Sequence, residues 1–320
     1  MTDRLLLVAT SPRLPAGLLS WHAWVALRSG PVFARADGPQ VEAVRAADIE
    51  VTLLAGDPAA QARDLREHAR AGGVVVWLAG PDGDPVLARA LGDLVARDGG
   101  GSELEVVYGS WDPPGARLLD AVAIMDRLRS PGGCPWDAEQ THASLMPYLL
   151  EEAYEAYAAL EDEDTDALRE ELGDVLLQVL FHARLAEELA DDERWSVDDV
   201  AATLVEKLVR RHPHVFADTT VSGAGEVSDN WESIKTAEKA RTSVTEGISM
   251  GQPALSLAAT LLRKADKAGV APEVGPSGTL GERLLALVRE ARADGLDPEV
   301  ELRREARALR DQIIAAEQNR

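Results

Sequence analysis

Strand-like runs stop at Gly109, and from Gly115 to the end of a 320-residue chain only helical periodicity remains. Before the break, LLLVAT (Leu5–Thr10), IEVTLLAG (Ile49–Gly56), VVVWLAG (Val74–Gly80) and LEVVYG (Leu104–Gly109) are short apolar, β-branched runs bounded by Gly, Pro and Asp. Helical patterns such as AAQARDLREHARAG lie between them, and strands alternating with helices predict a small parallel sheet. The loop Gly80–Pro85 follows a strand but carries neither a GxGxxG nor a phosphate-loop Lys-Ser/Thr, so it reads as a turn. After the break, Leu172, Val175, Leu176, Val179, Leu180 and Ala183 recur at spacings of three and four, the mark of an amphipathic helix packed on partners. Either Thr165 or Asp166 is expected to cap it. The expected fold is mainly α: a helical bundle preceded by a small α/β region.

Four segments follow from this reading. Residues 1–112 form the α/β region, 113–241 the helical module, 242–252 a polar linker, and 253–320 a further helical stretch. A shift of 108 residues sets Leu172, Gly173, Leu176, Leu177, Ala183 and Arg184 over Leu280, Gly281, Leu284, Leu285, Ala291 and Arg292. The acids do not survive that shift, since Thr279 falls where Glu171 would be. The last segment therefore reads as a degenerate second copy that kept its packing and lost any site.

Chemistry concentrates between Glu151 and Asp174, where eleven acids stand against one base, Arg169. Glu151, Glu152 and Glu155 share one predicted helix, and Glu171 and Asp174 the next. Residues one, three and four apart on a helix lie close together, so each set converges on a face. Such density repels itself unless a divalent cation neutralises it, and carboxylate oxygens suit Mg²⁺ and Mn²⁺. A di-iron carboxylate bundle needs two Glu-x-x-His pairs on separate helices. Only Glu139-Gln-Thr-His142 fits that pattern here, on a helix close to Pro135, so the hard-metal reading is preferred.

Around the acids lie further groups of interest. In Arg129–Gln140, Gly132, Gly133 and Pro135 enforce a bent loop, and Trp136 there serves either to stack on a base or to plug the core. Asp137 can cap the next helix. Downstream, Lys207, Arg211 and Lys235 are the cations a triphosphate site requires in an acidic chain. His212 and His214 flank a proline and could ligate a metal, but they read first as a helix-terminating turn. The formal net charge of −22 argues against nucleic-acid binding and adhesion to anionic membranes. A single cysteine, Cys134, allows no intrachain disulfide and fits a reducing, cytoplasmic setting; as a nucleophile it has no partner arguable from sequence.

Taken together, CPWDAEQTHASLMPYLLEEAYE, REELGDVLLQVLFHA, EKLVRRHPHVF and NWESIKTAEK resemble the MazG-type nucleoside triphosphate pyrophosphohydrolases over residues 118–241. That resemblance implies an all-α homodimeric bundle that hydrolyses ribo- or deoxyribonucleoside triphosphates to monophosphate and pyrophosphate with Mg²⁺ or Mn²⁺. It implies Glu152, Glu155, Glu171 and Asp174 as metal ligands and Glu151 as an outer carboxylate or base. Trp136 stays a base-stacking candidate, and Lys207, Arg211, Trp231 and Lys235 match the substrate-facing set. The N-terminal region faintly resembles a tetrapyrrole methylase domain through VVVWLAGPDGDP, as a degenerate scaffold without a methyl-donor loop. The lost second copy and that scaffold also leave a nucleotide-sensing module without turnover as an alternative.

Overall fold

The computed structural model describes residues 3–97, 101–238, 243–271 and 278–319. Thr242, where the linker was expected to begin, lies outside them. The chain divides into two compact units, Met1–Ala201 and Ala202–Arg320.

The first unit opens with β1 (Asp3–Ala9), α1 (Trp21–Leu27), β2 (Val32–Ala34), α2 (Pro39–Ala46) and β3 (Val51–Leu53). It continues with α3 (Pro58–Gly72), β4 (Val74–Leu78), α4 (Pro85–Arg97) and β5 (Ser102–Tyr108). The five strands lie in the order β3-β2-β4-β1-β5, and every pairing is parallel. Along β1, Leu6 and Val8 pack with α1 and α2, while Leu5 and Leu7 pack with α3 and α4. Both faces are therefore covered, which is why β1 and β4 read as continuous apolar runs rather than alternating ones. The chain winds outward from β1 to β3 along one face and returns to β5 along the other, the doubly wound arrangement.

One strand was not anticipated. β2 is three residues long, too short to show a period, yet Val32, Phe33 and Ala34 are all buried between β3 and β4. The Gly80–Pro85 loop is a turn pinned from within. Asp84, at φ +47°, points a buried carboxylate back to the Trp77 indole N–H at 2.8 Å and the Gly80 amide at 2.8 Å.

Helices then take over: α5 (Arg117–Arg129), α6 (Pro135–Glu139), α7 (His142–Glu161), α8 (Thr165–Ala186) and α9 (Val197–Arg211), which crosses into the second unit. Met125 of α5, Leu145 of α7 and Leu180, Phe181 and Leu185 of α8 form a core separate from the two sheet cores. The second unit holds α10 (Pro213–Phe216), α11 (Ala224–Glu238), α12 (Ala254–Lys267), α13 (Leu280–Ala293) and α14 (Pro298–Gln318). Thr279 caps α13 in a reciprocal box with Glu282, so the acid that stands at the place of Asp174 in the shifted alignment serves the helix end. Among the described residues no helix is long and apolar enough to cross a membrane.

Candidate metal centre

Helices α7 and α8 form an antiparallel hairpin joined by residues 162–164. Thr141 starts α7, accepting from the Ser144 amide while the Ser144 hydroxyl accepts from the Thr141 amide. Glu163 turns the corner at φ +54°. The cap of α8 is Asp164, one residue before Thr165 and two before Asp166, the expected caps, and it accepts from the amides of Asp166 and Ala167. Asp164, Thr165 and Asp166 could each have capped. The one whose oxygen reaches the free amides of the first turn does so, and Thr165 becomes the first helical residue.

The hairpin sets the acids against each other across the helix pair. One carboxylate oxygen from each of Glu152, Glu155 and Glu171 lies within 4.8 Å of the other two. Partial burial comes first, and the surrounding acids second, in pushing the Glu152 and Glu171 carboxyls above the usual carboxylate range. Asp174 leads the acids acting on Glu152 and also raises Glu171, so it faces the cluster although it is not one of the three closest groups. Glu151 is exposed beside them and adds a smaller push on Glu152. Three convergent carboxylates, among them the raised Glu152 and Glu171, fit a hard dication, which accepts oxygen donors and removes the repulsion.

One turn before Glu152 on α7 stands Tyr148, and Trp136 meets it edge-on with ring centroids 6.1 Å apart. Trp136 is 51% exposed, which sets aside the core-plug reading. Its loop is fixed from below. Gly132 takes φ +77°, and a Cβ on Gly133 would collide with the Leu128 carbonyl. The cap of α6 is Cys134 without a side-chain bond, and Asp137 sits inside that helix rather than capping α7. Arg129 then ties the loop to α8. Its guanidinium donates to the Asp137 carbonyl, pairs with Glu188 at 2.8 Å and lies 5.5 Å from the Phe181 ring centroid.

The other expected residues lie in the second unit. Lys207 is half-buried on α9, and Arg211 one turn later is buried. The Arg211 guanidinium and the Lys235 ammonium each lie 4.9 Å from the Trp231 ring centroid. His212 stands at the α9–α10 junction with its Nδ1 2.7 Å from the Leu208 carbonyl, the helix-ending turn expected of it.

Two features on the hairpin had no signal in the sequence. His142 and His182 stack with ring planes 2° apart and Nδ1 atoms 2.7 Å apart, and burial followed by His142 lowers the His182 pKa. Gln178, one turn beyond Asp174 on α8, is buried with an Oε1 that accepts no hydrogen bond. Both depend on contacts between helices, whereas periodicity reports only that one face is covered.

The profile of the MazG nucleotide pyrophosphohydrolase domain matches residues 140–216. An uncharacterised 26.1 kDa protein from the blaB 3′ region of Streptomyces cacaoi is 52% identical over 239 residues, 74% of this chain and 98% of its own length. The nucleoside triphosphate pyrophosphohydrolase of Mycobacterium tuberculosis is 51% identical, covering 51% of this chain and 49% of that protein. For the protein of the same name from Escherichia coli K12 the figures are 46%, 48% and 57%. The chain thus spans about half the length of these two named relatives.

Proposed function

The chain belongs to the MazG nucleotide pyrophosphohydrolase family, and from that premise we propose that it hydrolyses ribo- and deoxyribonucleoside triphosphates to monophosphate and pyrophosphate. The observation that carries this is the convergence of Glu152, Glu155 and Glu171 within 4.8 Å across α7 and α8. With Asp174 they would hold Mg²⁺, or Mn²⁺ in its place. When bound, such a cation offsets phosphate charge and acidifies a water.

The chain's own groups do the rest. Glu151, exposed at the edge of the cluster, accepts the proton of the attacking water. Trp136 and Tyr148 offer an aromatic edge for the nucleobase, a tolerant way to bind one because every base has a π-face. Lys207, Trp231 and Lys235, carried by the second unit, are the residues the family pattern turns to substrate, with Arg211 lying against Trp231. Loose base selection suits the removal of surplus or aberrant nucleotides.

The working form is a homodimer. Its support is the apolar surface of the hairpin, where Met146, Leu149 and Leu150 of α7 and Leu172, Leu177 and Val179 of α8 are exposed.

Turnover in ¹⁸O-labelled water with Mg²⁺ tests the chemistry. Attack at the α-phosphorus places the label in the monophosphate. Label in pyrophosphate, or in free orthophosphate, overturns the assignment.

A further inference from the structure

Arg211 was expected to meet substrate phosphate, but its guanidinium is already engaged. Arg211 is 7% exposed, and a buried cation is unfavourable without a charged partner. Glu238, the last residue of α11, supplies one. Its Oε2 lies 2.7 Å from an Arg211 Nη and 3.2 Å from Nε, and its Oε1 lies 2.6 Å from Nε of Arg210. Two arginines on one carboxylate hold its pKa down to about 2.

The pairing reaches further than Arg211. Trp231, Lys235 and Glu238 follow at spacings of four and three on α11, so they share one stripe of the helix. Arg211 crosses that stripe, bonded to Glu238 at one place and lying over Trp231 at another. Lys235 lies against the same indole. Glu238 takes two of the three Arg211 nitrogens, Nε and one Nη, so a phosphate would compete with a bidentate, part-buried ion pair, while the same guanidinium lies over the indole.

We propose that Glu238 is a positioning residue: it locks Arg211 against Trp231, and Arg211 in turn acts as a strut that sets the pose of Trp231 and Lys235, rather than as a phosphate contact. This rests on the reading of Trp231 and Lys235 as substrate-facing. It adds Glu238 to the machinery and changes the role of Arg211.

Steady-state kinetics on the full chain with Mg²⁺ and a nucleoside triphosphate tests it, using Glu238→Ala, Arg211→Ala, the double variant and Glu238→Gln. Each alanine variant is expected to raise KM about tenfold with kcat little changed, and the double variant to match Arg211→Ala alone, because coupled residues are not additive. Glu238→Gln keeps an acceptor for Arg211 and should restore part of the KM; it carries the test if Glu238→Ala does not fold. Additive effects overturn the proposal. So does a lower KM in Glu238→Ala, which would mean that the carboxylate competes with phosphate for Arg211. The indole N–H resonance of Trp231, assigned with Trp231→Phe, gives a readout without turnover. It should move in both alanine variants, and a resonance that stays in place overturns the proposal. Absence of turnover in the wild type would instead sink the hydrolase reading and leave the resonance test standing.

Discussion

Replacing Arg129 by methionine removes the tie between the Trp136 loop and α8 while keeping much of its apolar volume. The Arg129 side chain is 4% exposed and makes two bonds to Glu188, at 2.8 and 2.9 Å, one to the Asp137 carbonyl, and the ring contact with Phe181. Hydrogen bonds to charged groups contribute about 1.5–3 kcal/mol each, but Glu188 is 42% exposed and screened, so the low end applies to that pair. The ring contact adds about 0.5 kcal/mol, and methionine recovers part of the burial, leaving a net loss of about 3 kcal/mol. For a unit of this size that lowers the melting temperature by about 10 °C. Differential scanning calorimetry of the first unit's transition measures it, and KM should rise alongside as Trp136 loses its support.

The effect also has a pH signature. The Glu188 carboxyl is held below the usual range, first by its hydrogen bond to Arg129 and then by the two arginine charges, against some burial. A carboxyl whose folded pKa is depressed contributes stability above its unfolded value, about 4.3, and loses it as pH falls through the folded value. The gap between Arg129→Met and wild type should therefore be full at pH 7 and shrink below pH of about 4. A melting shift under about 2 °C at pH 7 refutes the assignment of Arg129 as the support of this loop.

Two further perturbations separate the parts. Trp77→Phe takes the indole donor from buried Asp84 and should cost about 1–3 kcal/mol in thermal melts, with turnover unchanged at moderate temperature. Lost turnover would place the α/β region within the chemistry. Trp136→Ala should raise KM about tenfold through lost stacking and leave kcat within about twofold, and the opposite split would remove Trp136 from substrate binding.

What the sequence made legible depended on how far apart the interacting residues lie. The runs of β1 and β4 were readable because burial on both faces leaves no polar alternation. β2 escaped because three residues carry no period, and only its neighbours in the sheet define it. The acids were readable because spacings of three and four put them on shared faces, and the family pattern set the two helices in order. That Glu152, Glu155 and Glu171 meet while Asp174 stands slightly apart needed the hairpin itself. The pairing of Arg211 with Glu238 across 27 residues and of His142 with His182 across 40 has no local signature at all.

A carboxylate centre that drives release of pyrophosphate would be legible in the products and in their loss on neutralising one acid. ³¹P NMR of a mixed pool of ribo- and deoxyribonucleoside triphosphates, incubated with Mg²⁺ and either wild type or Glu171→Gln, tests it most directly. Monophosphate and pyrophosphate are expected from the wild type, and unchanged triphosphates with the variant. Diphosphate with orthophosphate, or equal turnover by both proteins, would contradict it.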